Sequence, residues 1–347
     1  VHTVIPAQAE IQFLTCWIPA CAGMTIQKGR FKPCKNSEPR MTAPIAYLNG
    51  RYVPIDDARL HVFDLGIVGG TSVTEMARTF GHVPFRLPQH LDRLMASCDC
   101  VGLDVGLIPS ELNAICERVV RENSATIPKH HDLGLIVFVT AGMNLTYVGR
   151  TGMTPGCTVC VHTFPLPFEL WANMYDVGQH LVTVPTRSIP DAVINARVKH
   201  RSRMHWHIAG REAREIAPHA AAVLTDGDGR LTETASGNLC AVDGTTIITP
   251  LSNVLEGISR DVVAELASSL GLEFIHASLT PDELSRADEA FVTSTPHCLV
   301  PVTRFNQSPI GDGRPGPVFK RLIEAWNLLV GIDIVAQMKA GAKDRTA

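Results

Sequence analysis

The sequence contains no run of about 18 apolar residues, which argues against a transmembrane helix. It carries no excess of positive charge. The formal net charge is −3, so no global positive field recommends a nucleic-acid or anionic-membrane partner. Its ten cysteines show no disulfide-framework rhythm, which in a chain of 347 residues suits a reducing, cytoplasmic setting with buried free thiols. Cys157-Thr-Val-Cys160 matches C-x-x-C, but the surrounding apolar run reads as a strand. Residues three apart on a strand point to opposite faces, so a metal or redox pair is disfavoured there. Cys98 and Cys100 are read likewise as core cysteines. Lysine is scarce too: after Met41 there are only Lys129, Lys199, Lys320, Lys339 and Lys343. What remains, 45% hydrophobic and 19% charged, is the composition of a globular protein with room for two domains.

Residues 1–40 read differently from the rest. An apolar stretch broken by Pro19, without a basic segment before it, disfavours a signal peptide. The segment resembles translated upstream repeat DNA, with Met41 a natural start, and is expected to be a non-domain extension. Beyond it, Asn49-Gly50 marks a type I′ hairpin between short strands. Strands are expected over 71–80, 83–86, 133–140 and 158–163. Helices are expected around Leu91, Leu94, Met95 and Cys98, and over 110–122. The proline-bearing stretch 164–168 is a stiff connection and the candidate domain boundary. After it come strands over 181–185, 221–225, 231–234, 238–242 and 245–249. A helix follows Lys199, and another spans 260–270, closed by Gly271. The pattern is mixed α/β. It divides into a smaller domain (41–163), a connection (164–171) and a larger domain (172–347).

A lysine that forms a Schiff base must be partly desolvated so that its amine can be neutral and nucleophilic. Lys339 and Lys343 lie in a polar tail, Lys320 adjoins Arg321, and Lys129 is flanked by histidines. Lys199 precedes a helix with Trp206, Ala209, Ala213 and Ile216 on one face. Composition alone would make it one more member of a solvated basic run with Arg197, Arg201 and Arg203. Spacing to two further motifs changes the reading. Glu233-Thr-Ala-Ser-Gly-Asn238 offers a carboxylate able to hold a pyridine nitrogen protonated. Glu256-Gly-Ile-Ser-Arg-Asp261 opens a helix whose N–H groups and dipole, with the Ser259 hydroxyl, favour an anion such as phosphate.

In order and spacing, these three motifs resemble the class IV aminotransferases, the pyridoxal-phosphate (PLP) fold-type IV family. His90-Leu-Asp-Arg-Leu94, Gly70-Thr-Ser-Val-Thr-Glu75 and Phe291-Val-Thr-Ser-Thr295 extend the resemblance over roughly 47–302. It implies two domains with the PLP site at their interface, a homodimer, and an amino acid and a 2-oxo acid as substrates. It implies that Lys199 carries the cofactor and shuttles the substrate proton, that Glu233 pairs with the pyridinium, and that Asn238 shapes the loop beside it. Arg93, the turn at Gly257, Ile258 and Ser259, and Thr295 would hold the phosphate. Without the family, Arg93 would be a surface arginine facing Asp92 or Asp99.

The chain departs from the family's known substrate pockets. Gly69 stands where branched-chain enzymes often have tyrosine, and Met204 where a tyrosine faces the cofactor hydroxyl. Ala141 replaces the carboxylate-trapping arginine of D-amino-acid enzymes, leaving Arg78 as the candidate carboxylate ligand. The expected reaction is transamination, on a branched-chain-like amino acid. The alternative is an aminodeoxychorismate-lyase type of elimination, which needs the same Lys199 and Glu233. A nucleic-acid module built on 197–203 is remote, because Glu212 and Glu215 follow on the same helix. A metal site at His200, His205 and His207 lacks the i, i+4 spacing of one helical face.

Overall fold

The computed structural model describes residues 43–152 and 155–346. The expectation for residues 1–40 falls outside them. Asn49 and Gly50 both take positive φ, 47° and 86°, the backbone a type I′ turn demands. They join β1 (Ile45–Leu48) to β2 (Arg51–Pro54). After the short helix α1 (Leu65–Val68) come β3 (Ser72–Phe80), β4 (Val83–Pro84), α2 (Leu87–Cys100), α3 (Pro109–Ser124), β5 (Leu133–Thr140) and β6 (Thr158–Pro165). The six strands pair in the order β2-β1-β6-β5-β3-β4.

Helices α2 and α3 cover one face of this sheet. Leu91, Leu94, Leu112, Cys116 and Val119 pack on Val73, Ala77, Leu135, Val137 and Val161. Strand alternation sends Thr74 and Met76 of β3 to the opposite face, where register partners Phe138 and Ile136 of β5 lie beside them. The functional cavity forms against part of that face, beside Thr74, Met76 and Ile136.

The chain then passes through α4 (Met174–Val177) into β7 (Gln179–Thr183), α5 (Met204–Ile216), β8 (Ala221–Thr225), β9 (Leu231–Thr234), β10 (Asn238–Asp243) and β11 (Thr246–Pro250). It continues through α6 (Ile258–Ser269), β12 (Glu273–Ala277), α7 (Pro281–Ser285), β13 (Glu289–Ser294), β14 (Cys298–Phe305), β15 (Ser308–Pro309), α8 (Pro317–Val330) and α9 (Ile334–Thr346). These nine strands form a second, mixed sheet ordered β12-β11-β10-β13-β14-β7-β8-β9, with β15 on β14. Strand β9 pairs with β10 as well as β8, so the central strands close into a ring. Its outer faces are covered by α6 and α8, through Val262, Val263, Leu322 and Trp326, and by α5, through Trp206, Ala209 and Ala213.

Several local expectations change. The strand expected over 83–86 stops at Pro84, which has no N–H to give, and Arg86 turns left-handed (φ 54°) to cap α2. Strand β6 runs through Pro165, and Phe168 is fully buried, so the stretch expected to be a stiff connection is partly sheet and partly core. Cys100 is exposed, not core: two residues along a helix turn it away from buried Cys98. Burial pushes the Cys98 thiol up to about 12 and the Cys160 thiol to about 11, which keeps both protonated.

Candidate active site

Residues 199–201 run extended beside β3. Thr74 N–H donates to the Lys199 carbonyl (2.8 Å), Arg201 N–H donates to the Ser72 carbonyl (2.9 Å), and Val73 and His200 form an antiparallel bridge. Lys199 N–H also donates to Ser97 Oγ on α2 (3.3 Å). A period of two therefore turns the Lys199 and Arg201 side chains to one side and His200 to the other. Lys199 and Arg201 line a cavity of about 470 Å³. Burial pushes the Lys199 amine below its ordinary pKa, against the opposing pull of the Glu75 carboxylate, which favours the neutral, nucleophilic form.

Glu233 enters the same cavity from β9. It is the register partner of Asn238 at the point where β9 and β10 close the ring. Leu255 N–H donates to Glu233 Oε2 (3.0 Å), and Asn238 Nδ2 donates to the same oxygen (3.4 Å) and to the Leu255 carbonyl (2.8 Å). One carboxylate oxygen is thus anchored. Burial raises the Glu233 pKa, while the Leu255 N–H and the Lys199 charge draw it down.

Another end of the cavity is formed by the start of α6. Gly257 caps it without a side-chain hydrogen bond, followed by Ile258 and Ser259. A Cβ on Gly257 would stand 2.0 Å from Asn238 Oδ1, so glycine is required by close approach and not by backbone angle. Arg93 comes from α2, its Nη1 donating to the Glu256 carbonyl (2.6 Å). Its Nε and Nη2 donate to Glu75 (2.8 and 2.7 Å), so its partner is Glu75 and neither Asp92 nor Asp99. Thr295 completes this end. Arg93, Lys199, Glu233, Asn238, Gly257, Ile258, Ser259 and Thr295 thus all line one cavity.

Residues 72–305 match the family "Amino-transferase class IV". The branched-chain-amino-acid aminotransferase of Salmonella typhimurium is 31% identical over 293 residues, 82% of this chain and 92% of that protein. The D-alanine aminotransferase of Bacillus licheniformis is 29% identical over 79% of this chain and 93% of its own length. The Escherichia coli branched-chain amino acid aminotransferase structure superposes with a TM-score of 0.75 at 28% identity, covering 83% of this chain and 95% of that one. A further branched-chain amino acid aminotransferase, from T.th. and solved with pyridoxamine 5′-phosphate, superposes with a TM-score of 0.76 at 29% identity over the same shares. The chain belongs to the class IV aminotransferase family. It has the PLP fold-type IV architecture, and its activity is that of a PLP-dependent transaminase.

The residues of this aminotransferase fit such a cofactor. Thr293 Oγ1, on the cavity wall, is buried without a hydrogen-bond partner, an orphan that a polar ligand would satisfy. A Cβ on Gly237 would sit 2.4 Å from the Thr293 carbonyl, so the wall closes on itself at this glycine as at Gly257. One end is cationic and rich in N–H groups, which suits a phosphate. The Glu233 carboxylate suits a ring nitrogen.

Arg78, the expected carboxylate ligand, lies behind the cavity wall. It is 1% exposed and does not line the cavity, so it is neither a substrate ligand nor a strand-edge arginine. Its Nη1 donates to the Pro296 carbonyl (3.0 Å) and Cys298 Sγ (3.4 Å), its Nη2 to Gln337 Oε1 (3.3 Å), and its guanidinium lies over the Phe80 ring. It braces the back of the turn that carries Thr295. Met204 is 72% exposed and stands outside the cavity.

Sequence reasoning leaves Glu75, Arg201 and Arg203 without roles in the site. Glu75, 1% exposed, receives Arg93 and also His90 Nδ1 (3.1 Å). Arg203 lines the cavity, and its Nη2 donates to the Ala235 carbonyl. The signal for Arg201 is its spacing of two from Lys199, but that spacing means a shared side only on extended backbone. The helix expected to follow Lys199, with Trp206, Ala209 and Ala213 on its buried face, begins at Met204 and so leaves residues 199–201 extended. Among the described residues no group of three or more metal-ligating side chains converges, and no helix is long and apolar enough to cross a membrane.

Proposed function

We propose that this transaminase moves the amino group of a branched-chain-like amino acid to a 2-oxo acid with PLP, as a cytoplasmic homodimer. The observation that carries this is the meeting of Lys199, Glu233 and the 257–259 turn around one cavity. The bound cofactor supplies an electron sink for the pair released at the substrate Cα. Lys199 would hold the cofactor through its amine, and the same amine would serve as the general acid–base for the substrate Cα proton. This general acid–base step is worth roughly 10²–10⁴-fold. Glu233 keeps a proton at the pyridine nitrogen, steadied by Leu255 N–H and Asn238. Arg93, the Ile258 and Ser259 N–H groups and the Thr295 hydroxyl hold the phosphate.

The apolar wall of Met76 and Ile136 supports an aliphatic side chain in the substrate, as does the likeness to branched-chain enzymes. Val62, Phe63, Ile67 and Val68 expose an apolar strip on one short segment, which supports burial against a second copy.

The test is an absorbance spectrum of purified protein. A band near the visible edge, abolished by borohydride and missing in Lys199→Ala, is expected. Leucine with 2-oxoglutarate should yield glutamate. Pyruvate released with no amino acceptor would overturn the transaminase reading in favour of a lyase.

A further inference from the structure

Three arginines reach the cavity, and two are committed. Arg93 is held by Glu75 and the Glu256 carbonyl, and Arg203 by the Ala235 carbonyl. Arg201 differs. Among the described residues its guanidinium has no hydrogen-bond or ion-pair partner and rests over the Phe138 ring, 4.8 Å from the centroid. Among the described residues lining the cavity, the only acidic side chain is Glu233, whose bonded neighbours are Leu255 and Asn238. His162, edge-on to Phe138, adds no charge here, because burial and the Arg201 charge both hold it neutral. Arg201 is therefore an accessible, unneutralised fork on the same side of the same extended segment as Lys199. It stands on the part of the wall formed by β5, whose Ile136 also lines the cavity. Its main chain is fixed by the bond to Ser72, so the side chain works from a rigid base.

We infer that Arg201 is the specificity-determining residue that recognises a carboxylate of the substrate, in a chain where Ala141 and Arg78 cannot. A guanidinium fork pairs a carboxylate through two parallel N–H···O bonds. This rests on the transaminase reading and adds to it the group that selects acids over amines. The carboxylate has two sources: the one on Cα, or the distal one of a dicarboxylate partner.

The test uses PLP-loaded wild type, Arg201→Gln and Arg201→Lys, titrated with 4-methylpentanoate and with glutarate as competitive anions, alongside KM and kcat for leucine and 2-oxoglutarate. The expected result is that Arg201→Gln keeps the cofactor band while KM and the anion dissociation constants rise about 10- to 100-fold, with Arg201→Lys between. Weakening of both anions assigns the Cα carboxylate, and weakening of glutarate alone assigns the distal one. Unchanged binding of both, or loss of the cofactor band in Arg201→Gln, overturns the inference. Absence of that band in wild type instead overturns the transaminase reading itself.

Discussion

Glu75 and Arg93 form a two-pronged pair, Nε to Oε2 at 2.8 Å and Nη2 to Oε1 at 2.7 Å, with the carboxylate 1% exposed. Arg93 thereby projects from α2 toward the start of α6 without a partner in bulk water. Burial alone would raise the Glu75 pKa, but Arg93 and the His90 hydrogen bond outweigh it and hold the carboxyl well below its usual range. Such a group contributes stability above its unfolded pKa of 4.5, and that contribution is lost as pH falls toward the lowered folded value. Glu75→Gln should cost about 3–5 kcal/mol near neutral pH, because it leaves the Arg93 guanidinium, only 12% exposed, without its counter-charge. Denaturant unfolding of both proteins between pH 3 and pH 7 checks this. The gap between them should narrow as the solution is acidified.

Gly257→Ala places a methyl 2.0 Å from Asn238 Oδ1. Asn238 must then swing away, releasing the Leu255 carbonyl and loosening the support of Glu233. The expected outcome is a rise of tenfold or more in the PLP dissociation constant, followed by absorbance titration. The accompanying stability loss should be only about 1–3 kcal/mol by thermal unfolding, the usual cost of overpacking. Unchanged PLP affinity would show that the Asn238–Gly257 contact does not serve the cofactor.

Lys199 carries a pH signature in the cofactor-free protein. Its folded pKa is lowered by burial, so between that value and the ordinary 10.5 the unfolded chain binds more protons. Stability should therefore rise with pH across this window and be flat in this respect below it. Lys199→Met should be more stable than wild type below the window, and the difference should shrink as pH climbs through it. Melting temperatures of both proteins from pH 6 to pH 10 decide the point.

Arg78→Met separates a structural arginine from a substrate ligand. Removing a buried guanidinium that bonds Pro296, Cys298 and Gln337 and lies 3.8 Å from Asp132 should cost about 3 kcal/mol or more. KM for acids should not rise in proportion to their charge. A selective KM increase for a dicarboxylate over leucine would return Arg78 to the substrate site.

Much of this protein is legible in its sequence alone. Apolar runs and turn chemistry carry the strands over 133–140, 221–225 and 231–234, because these are local properties of the chain. The I′ hairpin at Asn49-Gly50 is readable for the same reason. The motifs around Arg93, Lys199, Glu233, Gly257 and Thr295 are readable from residue type and order, which the chemistry of a phosphorylated ring constrains. Only the tertiary structure decided which charges share a cavity and which are consumed elsewhere. Arg78 and Arg201 are both arginines near motif residues, yet one is spent on a buried turn and the other stands open. That difference depends on the single pairing of residues 199–201 with β3 and on the closure of β9 against β10. The first of these contacts joins residues far apart in the chain, the second completes a ring of such pairings, and no local pattern encodes either.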